Sequence, residues 1–450
     1  MRVARPLILL ACVAVLLAGC DNPLAASPTP PPVIIIATPN PGPPTQPASP
    51  PTQPLATPDA SPPPSAPTAD LSAPPTQPAP TDAPAPTDAP ATAPIQAQLQ
   101  IQLSQATLTG IFRGEITNWS DGRIQTDNPG AALPDLPIQV IYRSDSSGTT
   151  RAITEYFVQV DRQWAEQIGA AYRLGDAGSR PWPTGRGTNG SSQLTRAVRD
   201  TPGAIGYAAP SFAQQAGLPV ATVQNAAGNE VSVDSSTLSE AAANTLERLD
   251  TRLRGFIVNA PGQNAYPMAL YTWIIACPSG LELEQAQALT DFLYWALTDP
   301  QAIATARRLE YEPLPSAVRQ RAIAQLETFE VNGQRVFSAP AAGTSFRPRS
   351  FEAPVALNGA GATLPAPLYQ ELIEIYQRVQ PNVSLTYNAS GSTKGREDLL
   401  QSGFVQFAGT EEAVVDNDQQ ITRPACLPAP PHIPMVVGAV GIVYNLPSGR

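Results

Sequence analysis

Two rhythms of apolar and polar positions run through residues 100–450. Ile153, Tyr156, Phe157 and Val160 recur at i, i+3, i+4 and i+7, which predicts a helix over 149–160 with one buried stripe. Leu368, Leu372, Ile375, Tyr376 and Val379 predict a second amphipathic helix in the same way. Shorter apolar runs at 136–142, 270–276, 384–387 and 435–444 predict strands. Strands alternating with helices imply one or two α/β domains.

The first hundred residues follow neither rhythm. Two arginines precede an apolar run from Leu7 to Leu17, and the small pair Ala18-Gly19 then leads to Cys20. A charged start, a short apolar stretch and a small-residue end mark a secretory signal over 1–20. From 21 to 95 the chain repeats Pro, Thr, Ala, Ser and Asp, and 26 of its 53 prolines lie between 21 and 100. With little to bury, this stretch cannot offset the entropy of ordering, so a disordered tether is expected.

Composition narrows the function classes. A net charge of −10 with 14% charged residues argues against nucleic acid, whose backbone needs clustered Lys and Arg. Four scattered cysteines and one histidine, His432, exclude a Cys/His zinc site, and no metal or cofactor is expected. No nucleophile elbow or phosphate loop with Gly-Lys-Ser/Thr is present, so hydrolase and NTPase classes lack support. Cys277 and Cys426 could form a disulfide or remain two buried thiols.

Three segments rich in small and hydroxyl residues precede predicted helices. They are Gly361-Ala-Thr363-Leu364-Pro365, Ser390-Gly-Ser392-Thr393 and Ser144-Asp145-Ser146-Ser147-Gly148-Thr149. Singly, each Ser or Thr reads as an N-cap. Convergent helix N-termini, with their free N–H groups, would hold an anion without a basic surface.

These residues also carry a family resemblance. GAGATLPAPLYQELIEIYQ (359–377), YNASGSTKG (387–395), QFAGTEE (406–412) and PMVVGAVGIVYNLP (434–447) resemble one half of the bacterial high-affinity phosphate-binding proteins. LTGIFRGEITNWSD (108–121), LPIQVIYRSDSSGTT (136–150), PGAIGYA (202–208) and LEYEPLP (309–315) resemble the other. The family order is reversed here, which implies a circular permutation with a new joint at about 329–353; a truncated tandem duplication or gene-model break is the alternative. The resemblance implies a two-lobed, type II periplasmic-binding fold, with lobes at 98–258 and 266–450. One of two lobe crossings would be opened, leaving only 259–266 covalent, and the freed ends at 442–446 would still pair as strands. Leu17-Ala-Gly-Cys20 resembles a lipobox, implying lipidation of Cys20 and extracytoplasmic anchoring to the cell membrane.

Mapped onto this sequence, the resemblance assigns Thr363, Leu364, Ser392 and Glu411 to one side of a bound phosphate. Arg143, Ser147, Gly148 and Thr149 come from the other side, with Asp145 supporting the arginine. Leu364 stands where the family has Phe, and Glu411 where it has Asp. An ionised carboxylate only accepts hydrogen bonds, so Glu411 suits an oxyanion that still carries a proton and disfavours sulfate. The implied function is phosphate capture by a monomer and delivery to ABC permease subunits. A sensor or scavenger without a transport partner, or a phosphatase-like enzyme, are the alternatives.

Overall fold

The computed structural model describes residues 99–175 and 179–447. The signal, Cys20 and the tether therefore lie outside the described residues. Within the described residues, strands and helices divide between two α/β lobes.

In the first lobe, strand Gln139–Arg143 lies parallel to Ala204–Ala208 on one side and to Arg186–Thr188 on the other. Helix Gly148–Val160 follows Gln139–Arg143 and buries Ile153, Tyr156 and Phe157, while Val160, the last of the stripe, is half-buried. A small sheet of Gln102–Leu103, Thr222–Gln224 and Glu230–Val231 completes the lobe. The second lobe is a six-stranded mixed sheet. Val355–Gly361 sits between the parallel strands Val383–Asn388 and Phe407–Thr410. The antiparallel Ala269–Ala276 and His432–Ala439, every residue buried, extend it towards Glu312–Pro313. Burial on both faces is why these segments read as unbroken apolar runs.

The run 435–444 is two strands rather than one. His432–Ala439 belongs to the second lobe, Val440 carries the chain across, and Gly441–Tyr444 pairs with Ala204–Ala208 in the first. Residues 442–444 are thus paired, but in the lobe opposite to the one the range 266–450 assigned them. The first lobe's range also ends too late. Helix Ser235–Ala243 packs on the second lobe's sheet, the Tyr266 amide donates to the Thr237 carbonyl (3.1 Å), and Trp273 Nε1 donates to the Leu253 carbonyl (2.9 Å). The lobes are therefore about 99–231 with 441–447, and about 235–440. Both crossings, at 232–234 and at Val440, are covalent; neither is opened. The segments that end one half and begin the other meet inside the first lobe. There Tyr444 Oη donates to the Leu99 carbonyl at 2.6 Å and accepts from the Ile101 amide at 3.1 Å.

The stretch 329–353 is ordered against helix Leu283–Thr298. It opens with a short hairpin of Glu330–Val331 and Gln334–Arg335. Phe337 and Phe346 then pack on Tyr294, at 5.2 and 4.6 Å between ring centres. Arg349 pairs with the buried Asp291 at 3.0 Å, and Phe351 enters the core. Cys277, at the end of Ala269–Ala276, is joined to Cys426 by a disulfide.

Candidate functional site

Each lobe sends the ends of its central strands to the same place. Strand Gln139–Arg143 ends in Arg143, whose side chain is 1% exposed. Its Nε donates to Asp145 Oδ1 at 2.6 Å, and a second guanidinium nitrogen pairs with Oδ2. Burial pushes the Asp145 carboxyl up, but the Arg143 contacts and the Gly190 amide win and hold it below its ordinary value. Asp145 thus fixes one edge of the guanidinium. The other edge faces across the cleft, where Nη1 donates to Ser191 Oγ at 3.0 Å and to Thr363 Oγ1 of the opposite lobe at 3.2 Å.

Helix Gly148–Val160 begins one turn further on. Ser147 caps it, accepting from the Thr150 amide, and the first-turn N–H groups of Gly148 and Thr149 face the cleft end of the helix. Thr149 Oγ1 is buried without a protein hydrogen-bond partner. Gly148 must be glycine for a steric reason. A Cβ there would lie 2.2 Å from Glu411 Oε2 and 2.5 Å from Glu411 Cβ.

The second lobe supplies the facing wall. Strand Val355–Gly361 runs into Thr363 and Leu364, just before helix Ala366–Val379. Leu364 is buried, and its carbonyl accepts from Tyr311 Oη at 2.6 Å. Ser392 opens helix Ser392–Glu397 and donates to Glu411 Oε2 at 2.6 Å. Glu411 follows strand Phe407–Thr410 and is buried, while its Oε1 has no protein partner. Burial pushes its carboxyl up to about 7, against the Ser392 hydrogen bond and the Arg143 charge, which lower it.

All eight anion-site residues expected from the sequence, with Asp145, converge here. Five further residues, none of them assigned to the site from the sequence, contribute. Ser191, at the start of helix Ser191–Arg199, joins Arg143 and sits 3.3 Å from Thr363 Oγ1. Its position after Gly190, at yet another helix start, was the available signal. Ser146 Oγ and Thr393 Oγ1 meet across the lobes at 2.6 Å, and Ser211 Oγ meets Tyr311 Oη at 2.8 Å. Tyr311 stands in the string LEYEPLP, but nothing local there marks its contact. The geometry offers one full cation, a set of N–H and O–H donors, and a single carboxylate able to accept. That combination suits a small tetrahedral oxyanion bearing a proton.

Among the described residues no helix is long and apolar enough to cross a membrane, and no group of side chains could hold a metal ion. His432 is buried, with Nε2 accepting from the Val414 amide at 2.9 Å, away from these groups.

A profile of the PBP superfamily domain matches residues 86–300 and 339–450. The chain is 34% identical over 229 residues to the phosphate-binding protein PstS of Pasteurella multocida (strain Pm70), covering 51% of this chain and 64% of that one. It is 34% identical over 218 residues to the phosphate-binding protein PstS of Methanocaldococcus jannaschii, covering 45% and 54%. The chain thus spans less than two thirds of the length of these relatives. Among solved structures, the phosphate-binding protein of a phosphate ABC transporter from Streptococcus pneumoniae TIGR4 superposes with a TM-score of 0.39 at 14% identity, covering 68% of this chain and 88% of that one.

Proposed function

The chain belongs to the PBP superfamily domain family, and on that premise we propose that it binds inorganic phosphate between its lobes and delivers it to an ABC importer. The observation that carries this reading is the buried Glu411. One oxygen accepts from Ser392, the other has no protein partner, and Arg143 with the start of helix Gly148–Val160 stands opposite. A hydrogen phosphate would give its proton to Glu411 as a hydrogen bond and present its other oxygens to Arg143, Ser147, Gly148, Thr149, Thr363, Leu364 and Ser392. Sulfate has no proton to give at neutral pH, so binding it would leave an unpaired buried carboxylate against its charge. The closed arrangement of the lobes, held by contacts such as Ser146 to Thr393, is the form a permease would recognise.

We further place the protein outside the cytoplasm, anchored through a lipid on Cys20, as a monomer and not an enzyme. The exchanged order of the halves is part of this reading. Tyr444 already touches Leu99 and Ile101, so a short connection there would restore the uninterrupted family order.

Titration of the purified protein with phosphate and sulfate at pH 8, where Glu411 is ionised, tests the proposal. One phosphate should bind per chain, with sulfate weaker by at least about 100-fold. Absence of phosphate binding overturns the reading. In Glu411→Gln, phosphate should bind about 10-fold or more weakly, or sulfate rejection should relax; unchanged selectivity would remove Glu411 from its role.

A further inference from the structure

Beneath the site lies a charged cluster that the phosphate reading does not use. Arg396 is one helical turn from Ser392 on helix Ser392–Glu397, with its side chain only 2% exposed. Its guanidinium pairs with Glu412, and it reaches Asp418 Oδ2 at 3.3 Å and Gln420 Oε1 at 3.2 Å. Glu412 is the chain neighbour of Glu411, and its charge raises the Glu411 carboxyl. A buried arginine on such a cluster is expensive unless it is paired, and a pure packing role would be met by apolar residues at lower cost.

We propose that Arg396 is a positioning residue: through its ion pair with Glu412 it sets the negative charge felt by Glu411, and so decides whether the site demands a protonated oxyanion or admits an unprotonated one such as sulfate. The inference rests on the phosphate reading above. The same helix places Ser392, which donates to Glu411 Oε2, so Arg396 also ties the donor and the acceptor of that hydrogen bond to one frame.

The other charges around Glu411 are few. Arg143, paired with Asp145, acts on it from the end of strand Gln139–Arg143, and Arg151 of helix Gly148–Val160 lines the same small space. Arg151 is itself paired with Glu155 at 2.6 Å. Tyr172, Tyr311, Tyr369 and Tyr387 complete the surroundings, and burial raises all four phenols above their ordinary value, which keeps them neutral. Among these groups, Glu412 is the acid whose charge raises the Glu411 carboxyl, and Arg396 is its buried partner, so removing one or the other changes the local charge with opposite signs. Without Arg396, the Glu412 and Asp418 charges go uncompensated and Glu411 holds its proton more tightly. Without the Glu412 charge, Glu411 releases its proton more easily.

The test is sulfate competition against bound phosphate from pH 5.5 to 9 in the full chain, with Glu412→Gln, Arg396→Gln and Arg396→Lys. Discrimination against sulfate in the unaltered protein should weaken as pH falls through about 7. Glu412→Gln should move that midpoint down by about one unit and Arg396→Gln up by about one, while Arg396→Lys stays near the original. A merely structural role would weaken binding in both without opposite shifts. Intact phosphate binding with unmoved or parallel midpoints overturns this inference alone; no phosphate binding by the unaltered protein overturns it together with the reading beneath it. If Arg396→Gln does not fold, the direction of the Glu412→Gln midpoint decides.

Discussion

At the scale of single residues, the site depends on how closely two groups from opposite lobes approach. Gly148 is buried with ordinary backbone angles, so its glycine is not needed for conformation; it is needed because Glu411 occupies the space a Cβ would fill. The longer Glu side chain therefore leans on the absence of a side chain opposite. Gly148→Ala should leave the fold of each lobe intact, since alanine suits the first turn of a helix. It should hold the lobes apart at this point and weaken phosphate binding by about 100-fold or more, equivalent to about 2.7 kcal/mol. Calorimetric titration alongside a thermal melt without phosphate checks both halves of that statement. A variant that binds as tightly as the original would show that Glu411 has room to retreat.

Among secondary-structure elements, the loop after strand Phe407–Thr410 matters most, because it begins with Glu411. Its ties include the Cys277–Cys426 disulfide, the Arg396 cluster, the Val414 amide on His432 Nε2, and Asp416 paired with Arg252 and Arg254. Only the cysteines were legible as a tie beforehand, and only as one of two possibilities, since partners far apart in sequence leave no periodic trace. Arg396 escaped notice for the same reason and Ser191 because its helix start was not read as one, whereas Ser147 and Thr363 stood in recognisable helix-start strings and Arg143 came through the family resemblance. The His432 tie has a pH signature. Burial, with the nearby Arg254 charge acting in the same direction, lowers its pKa from 6.5 to about 3. The unfolded chain then binds the proton more readily between those values. Its contribution to stability is therefore complete above pH 6.5 and is lost as pH falls towards 3. In His432→Gln, which keeps an acceptor for Val414 but does not titrate, the stability difference from the unaltered protein should shift by up to about 3 kcal/mol in the variant's favour between pH 7 and 4. Chemical denaturation at the two pH values measures it, and a constant difference would mean that His432 is protonated in the folded state.

For the molecule as a whole, the α/β character and several central elements were readable from periodicity, but the boundaries between lobes were not. Residues 435–444 form one apolar run because both strands are buried, and burial alone does not reveal that Val440 changes sheets. Helix Ser235–Ala243 fell inside the range 98–258 but packs on the second lobe's sheet, because nothing local in a helix's sequence says which sheet it will cover. The consequence is that both lobe crossings are intact, and the segment after Val440 meets the start of the other half within the first lobe, where Tyr444 is hydrogen-bonded to Leu99 and Ile101. Lobe closure then needs no covalent link between residues 447 and 99. The stretch 329–353, ordered along helix Leu283–Thr298 by Phe337, Phe346 and the Arg349–Asp291 pair, lies in the other lobe. A rearranged chain with residue 447 linked to residue 99 by a few glycines, and opened between 338 and 348, should therefore bind phosphate within about threefold of the original, because neither crossing nor any site residue is touched. Its melting temperature should stay close to the original: closing the first lobe reduces unfolded-state entropy there, while opening 338–348 releases it elsewhere, so the two changes largely offset. Loss of phosphate binding in a rearranged chain that still melts cooperatively would show that the present order shapes the site itself.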